Sequence, residues 1–300
     1  MIVIAAPGQG SQKPGFLSPW LELPGVRDTV GGWSEAIGVD LVTHGTISDQ
    51  DTIRDTQIAQ PLIVAAGLLT GRLIQQRLGA DVAVSYAGHS VGEFTAAALA
   101  GVLSDEDALG LVGVRGRAMA HAASLEDTGM SAVIGGEYDD VAADLESRGL
   151  VPANVNGGGQ VVAAGSSTAL AELATHPLAG TRVIPLDVAG AFHTHFMESA
   201  VELLRDAASA VNFLTPRSPL YTNRDGSVVD DGDTVRDLLI GQVSSPVRWD
   251  LCMASFQTDG VTRLIELAPA GALVGLAKRA MKGVEALKID LPEHIENLTV

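Results

Sequence analysis

The chain has 300 residues, 46% of them hydrophobic, enough for one large domain or a domain carrying an insertion. A net charge of −17 excludes nucleic acid and anionic membrane surfaces as natural partners. A single cysteine, Cys252, excludes a disulfide framework and a thiolate metal cluster. No window reads as long and apolar enough to span a bilayer, and Met1–Pro7 lacks a basic leader, so a cytoplasmic chain without a metal is expected.

Residues 2–6 read as a first strand running into a turn-rich loop, Pro7-Gly8-Gln9-Gly10-Ser11-Gln12. The loop lacks the Lys-Ser/Thr ending of a phosphate-cradling P-loop. Residues 16–55 read as short helices and loops. A buried helix is expected from Pro61 to about Leu78, with the proline in its first turn. The apolar run Val82-Ala83-Val84 reads as a strand leading into Gly88-His89-Ser90-Val91-Gly92, and the small-residue run after it as a helix. Gly-x-Ser-x-Gly between strand and helix fits a nucleophile elbow, a tight turn that presents a serine hydroxyl at a helix N-terminus. Ser104 and Asp107 mark the start of the next helix, which runs to about Ala122 and carries Arg115 and Arg117 on different faces.

From Met130 the pattern changes. Strand 131–134, helix 138–147, strands 150–154 and 160–164 around Gly157-Gly158-Gly159, helix 168–175 and strand 182–186 follow in the order β-α-β-β-α-β, the ferredoxin-like arrangement. The expected fold is therefore α/β. Residues 1–126 and 192–300 form a hydrolase-like core on a mainly parallel sheet, and residues 127–191 an inserted ferredoxin-like subdomain. Beyond it, a helix to about Ala210, a strand at 220–222, a turn at 223–226, helices at 235–243 and to about Phe256, a strand at 263–267, a helix with Lys278 and Arg279, and a last strand at 284–289 are expected.

A serine nucleophile needs a base. Among seven histidines, His193 and His195 stand where the insertion rejoins the main body, a favoured place for a cleft. His193, at the mouth of a helix, is the better candidate, but spacing alone leaves His195 open. Asp187 is the nearest upstream acid, yet no motif marks it as a third member. A dyad oriented by a backbone carbonyl or an amide side chain is equally permitted.

Six stretches occur together and in order: Gly8-Gln9-Gly10-Ser11-Gln12, Gly88-His89-Ser90-Val91-Gly92-Glu93, Val114-Arg115-Gly116-Arg117-Ala118-Met119, Asn154-x-Asn156-x-x-Gly159-Gln160, Gly190-Ala191-Phe192-His193-x-x-x-Met197 and Gln242-x-x-x-Pro246-Val247. Over nearly its whole length the chain resembles the malonyl-CoA:acyl-carrier-protein transacylases of bacterial fatty-acid synthesis, whose acyltransferase domain also occurs in polyketide synthases. The resemblance implies Ser90 as nucleophile, His193 as its base and Gln242 as the group that orients the histidine. It implies the backbone N–H groups of Gln9 and Val91 as an oxyanion hole, Arg115 as the receptor of the malonyl carboxylate, and Phe192 as a filter against an α-methyl group. It further implies malonyl-CoA and the phosphopantetheine of holo acyl carrier protein as substrates and no permanently bound cofactor; a monomer is expected, though the sequence itself does not give the oligomeric state. An acidic carrier needs basic residues near the cleft; Lys278, Arg279, Lys282 and Arg182 are candidates. The competing expectation is a serine thioesterase or esterase on the same fold, for which Arg115 has no use.

Overall fold

A computed structural model describes residues 1–79 and 81–299. Six strands form the larger sheet, in the order Glu285–Lys288, Arg263–Glu266, Ile2–Ala6, Val84–Gly88, Leu220–Tyr221 and Val228–Val229. All neighbours are parallel except the last pair, which closes a hairpin. A parallel sheet must bury both faces, and the first strand divides its side chains accordingly. Ile2, Ile4 and Ala6 join a core with helices Thr56–Leu78, Gly92–Leu99 and Asp105–Ala123, while Val3 and Ala5 join a second core with Trp249, Phe256 and Leu276.

The strand before the elbow lies further along the chain than its apolar run indicates. It spans Val84–Gly88, in register with Ile2–Ala6. Ser85 and Tyr86 belong inside it because their polar tips are satisfied there: Ser85 Oγ donates to the Ile2 carbonyl at 3.3 Å, and Tyr86 Oη accepts from Gln75 Nε2 at 2.8 Å. The long helix also begins earlier, at Thr56, so Pro61 sits inside it rather than in its first turn. Asp55 sets that start, its carboxylate accepting from the Gln57 N–H at 3.0 Å. At 23 residues this helix is long and apolar enough, by length and composition alone, to cross a membrane, contrary to the expectation from sequence. Its window is 78% buried against the rest of the protein, as a core helix is.

The smaller sheet runs in the order Arg182–Leu186, Thr128–Ile134, Gln160–Ser166, Val151–Gly157, Val247–Arg248. Its first four strands run antiparallel to one another, and helices Tyr138–Ser147 and Ser167–Thr175 pack on them over a core of their own around Leu145, Val161 and Leu173. The fifth strand, Val247–Arg248, comes from the C-terminal part of the chain and pairs parallel with Asn154 and Val155. Val247–Arg248 therefore ties the smaller sheet to the C-terminal part of the chain. Just before it, the helix expected over 235–243 is observed at Gly232–Gly241, capped by Asp231, and gives way to a single tight turn at Gln242–Ser244. A short helix absent from the expectation, Pro292–Glu296, follows the last strand.

Candidate active site

The elbow is built by steric necessity. A Cβ placed on Gly88 would lie 2.0 Å from the Gly92 carbonyl carbon, and one on Gly92 would lie 2.3 Å from the Ala6 carbonyl oxygen. Glycine alone allows strand, turn and helix to approach so closely. Ser90 between them is held at φ 54°, a left-handed conformation that costs a residue with a side chain about 1–2 kcal/mol. Asn223 holds that strained turn. Its side-chain oxygen accepts from the Ser90 N–H at 2.8 Å, and its amide nitrogen donates to the Gly88 carbonyl at 2.7 Å.

Ser90 Oγ lies 2.6 Å from His193 Nε2. On the far side of the ring, Nδ1 lies 2.8 Å from the main-chain carbonyl of Gln242. A carbonyl only accepts, so Nδ1 carries the proton and the Nε2 lone pair faces the serine hydroxyl. Burial, and then the charge of Arg115, push the His193 pKa down to about 3, which keeps the ring neutral. His193 is itself left-handed at φ 62°, in a turn closed by the Thr194 hydroxyl donating to the Ala191 carbonyl at 2.6 Å. Of the two candidate histidines the fold brings His193 to the serine; His195 is exposed and lies against Phe196, ring centroids 4.2 Å apart. Asp187 pairs with Arg54 at 2.5 Å instead of joining the dyad.

Gln242 meets His193 through its main chain, and its side chain has separate work. Gln242 Nε2 donates to the Ser90 carbonyl at 2.9 Å and to Glu93 Oε2, while Gln242 Oε1 accepts from Arg115 Nη2 at 2.8 Å. Arg115 is 1% exposed, and its Nη1 donates to Gln60 Oε1 at 2.7 Å. Its Nε–H is buried without a partner among the described residues. Arg117, two residues on, points to solvent. Burial lowers the Arg115 pKa to about 10 against the opposing pull of Glu93. Burial likewise raises Glu93 to about 7, opposed by its bonds from Asn223 and Gln242 and by the charge of Arg115.

Ser90, His193 and Phe192 open on a cavity of about 470 Å³ between the two sheets. Its walls include Gln9 and Val91, whose backbone N–H groups have no partner among the described residues. They also include Gln60 and Met119 in front of Arg115, and Asn154, Asn156 and Gln160 from the smaller sheet. His89 turns away from the serine and meets Asn156 Oδ1 through Nε2 at 2.8 Å. Arg279 stands on the cavity wall; Lys278, Lys282 and Arg182 are exposed. Among the described residues there is no cluster of side chains able to hold a metal ion.

Sequence reasoning missed Asn223, Glu93 and Gln60. Asn223 opens an Asn-Arg-Asp-Gly stretch that reads as an ordinary turn. Glu93 stood within the elbow motif, where an acid in a buried first helical turn was the available signal.

A strained serine at a helix start, bonded to a neutral histidine, is the arrangement of enzymes that carry a group covalently on serine. The chain belongs to the acyl transferase domain family, whose sequence pattern matches residues 5–293. It is 48% identical over 301 residues to the malonyl CoA-acyl carrier protein transacylase of Mycobacterium tuberculosis, covering 99% of each chain. Among solved structures it is similar to the MCAT of Mycobacterium tuberculosis (TM-score 0.96, 47% identity, 99% of this chain and 98% of that one). It also resembles a malonyl-transacylase solved in complex with its type II PKS acyl-carrier protein (TM-score 0.92, 28% identity, 98% and 97% covered).

Proposed function

We propose that this protein transfers a malonyl group from malonyl-CoA to the phosphopantetheine thiol of an acyl carrier protein, by a ping-pong route through a malonyl ester of Ser90. The observation that carries this reading is the buried guanidinium of Arg115 beside the dyad, with an unpartnered Nε–H. A free carboxylate supplies the missing acceptor. Nε–H and a terminal N–H of the same guanidinium together offer the fork that a carboxylate binds bidentately. Gln60 and Met119 line the cavity while Arg115 lies behind them, so the incoming carboxylate approaches past the Gln60 amide.

The Ser90 hydroxyl attacks the thioester carbon and its proton passes to His193 Nε2. The tetrahedral oxyanion is received by the N–H groups of Gln9 and Val91. The carbonyl re-forms, the C–S bond breaks, and the departing CoA sulfur takes the proton from His193. In the second half the carrier's thiol gives its proton to His193 and attacks the ester, and Ser90 leaves with that proton. Gln242 orients the ring through its carbonyl, and Phe192 crowds an α-methyl on the acyl group, a discrimination worth about 1–3 kcal/mol. Arg279, with Lys278, Lys282 and Arg182 as further candidates, receives the acidic carrier.

The same reading takes residues 1–126 and 192–300 as a hydrolase-like domain and 127–191 as a ferredoxin-like insertion. The strand order of the smaller sheet supports the second assignment, with Val247–Arg248 as a strand lent by the main body. The reading takes the protein as a monomer, and none of the steps calls for a resident cofactor. CoA-linked chemistry fits a cytoplasmic location. Intact-mass analysis tests the proposal. Malonyl-CoA should add one malonyl group to the protein but not to Ser90→Ala, and holo carrier protein should remove it as malonyl-carrier. Release as free malonate, with no carrier loaded, would overturn it in favour of a thioesterase.

A further inference from the structure

Three buried side chains lie in a row beneath the dyad: Glu93, the Gln242 amide, and Arg115. The row begins at the elbow helix and ends at the guanidinium. We infer that Glu93 is a positioning residue that fixes the orientation of the Gln242 amide, through it places Arg115, and so sets this enzyme's preference for acyl groups that carry a free carboxylate. The inference rests on the reading of Arg115 given above.

The argument is one of donors and acceptors. An ionised carboxylate only accepts and a guanidinium only donates. The Gln242 amide stands between them, with its NH2 on Glu93 Oε2 and its oxygen on Arg115 Nη2. The flipped amide would face oxygen to carboxylate and NH2 to guanidinium, two mismatches in a buried space. Glu93 is fixed in turn, since its other oxygen accepts from the Asn223 N–H at 2.7 Å. The second N–H of the Gln242 amide reaches the Ser90 carbonyl at 2.9 Å. The orientation of one amide therefore ties the elbow to the guanidinium. Gln60, on the opposite side, supplies Arg115 with its other acceptor at 2.7 Å. With both flanks held, the unpartnered Nε–H has a defined direction. Glu93 touches neither the serine hydroxyl nor the imidazole, so it acts through Gln242 and not on the reacting atoms.

The test is the ratio of Ser90 acylation rates with malonyl-CoA and acetyl-CoA, measured by intact mass at pH 8, where Glu93 is ionised. Glu93→Gln retains the shape and the acceptor for Asn223 but turns an NH2 towards the Gln242 amide, which must flip and present its own NH2 to Arg115. The malonyl-to-acetyl ratio should fall by about tenfold or more, the scale of a lost hydrogen bond to a charged group. In Glu93→Gln/Gln242→Glu the donor and acceptor between 93 and 242 are exchanged, so the residue at 242 again offers an oxygen to Arg115 and most of the ratio should return, while the Ser90 carbonyl, left without its donor, lowers both rates together. A ratio within twofold of the unmodified enzyme in Glu93→Gln, or an equal loss on both substrates that the double variant does not repair, overturns the inference. Arg115→Ala, run alongside, separates the two readings. If it loses the ratio while Glu93→Gln keeps it, only the role of Glu93 fails; if it keeps the ratio, the reading of Arg115 fails and takes this inference with it. Should Glu93→Gln not fold, Gln242→Met breaks the row and leaves the carbonyl for His193. It should lower the ratio to the same extent, and an unchanged ratio there overturns the inference equally.

Discussion

Replacing Asn223 tests whether the elbow is held by hydrogen bonds or merely by packing. Asn223 is 1% exposed, and its amide joins the Ser90 N–H to the Gly88 carbonyl. In Asn223→Ala both groups lose their partner. At about 1–3 kcal/mol for each unsatisfied buried group, and towards the lower end for Ser90, which is only half-buried, the loss comes to about 3 kcal/mol. Asn223→Asp separates the two explanations, because it keeps the volume and the acceptor for Ser90 but sets a carboxylate oxygen against the Gly88 carbonyl, close to Glu93. If hydrogen bonding governs, the aspartate variant should be at least as destabilised as the alanine variant; if packing governs, it should resemble the unmodified protein. Urea unfolding at pH 8 reads the stability, and the rate of Ser90 acylation by malonyl-CoA reads the elbow. Both variants should acylate more slowly, since the φ of 54° at Ser90 relaxes when its clamp is removed. An aspartate variant within about 0.5 kcal/mol of the unmodified protein, or an alanine variant that loses under about 1 kcal/mol and acylates normally, refutes the reasoning.

His193→Ala should abolish Ser90 acylation at neutral pH while His195→Ala leaves it nearly intact, measured by intact mass after brief exposure to malonyl-CoA. Gly88→Ala should prevent folding, or cost more than about 4 kcal/mol, because its Cβ meets backbone at 2.0 Å and no side chain can move aside; circular dichroism decides. The pH dependence of stability carries a sign. His193 falls from 6.5 to about 3 on folding, so below pH 6.5 the unfolded chain takes up a proton that the folded one refuses. Stability is lost as pH drops through that window, by up to about 1.4 kcal/mol per unit. Glu93, raised from 4.5 to about 7, works in the opposite direction between those values, since there the folded state holds a proton that the unfolded one has released. Urea midpoints of the unmodified protein and His193→Ala should therefore converge between pH 6.5 and 4.5 as the former loses its histidine contribution; parallel curves would contradict the buried neutral ring.

The parts of this site that sequence displays are those whose chemistry is local. Gly88 and Ser90 announce the elbow because their constraint acts within five residues, and Gly92 is displayed by the same motif although it clears the distant Ala6 carbonyl. Arg115 and His193 are legible as candidates by type and place, and the choice of His193 over His195 needed the fold to bring one ring to the serine. Glu93 and Asn223 are silent because they act at long range: Asn223 serves a turn 133 residues away. Ser85 and Tyr86 obscure a core strand because their polar tips find partners visible only in three dimensions. Two-residue strands such as Val247–Arg248 are too short to show a period.

The clamp on the elbow also orders events during synthesis. The serine meets its histidine across 103 residues, its clamp across 133, and the Gln242 amide across 152. No nascent chain that ends before residue 223 holds the closed turn, and none that ends before 242 holds a histidine fixed on its carbonyl. A ribosome must therefore deliver about four-fifths of the polypeptide before Ser90 can sit in its clamped turn against a fixed His193 ring.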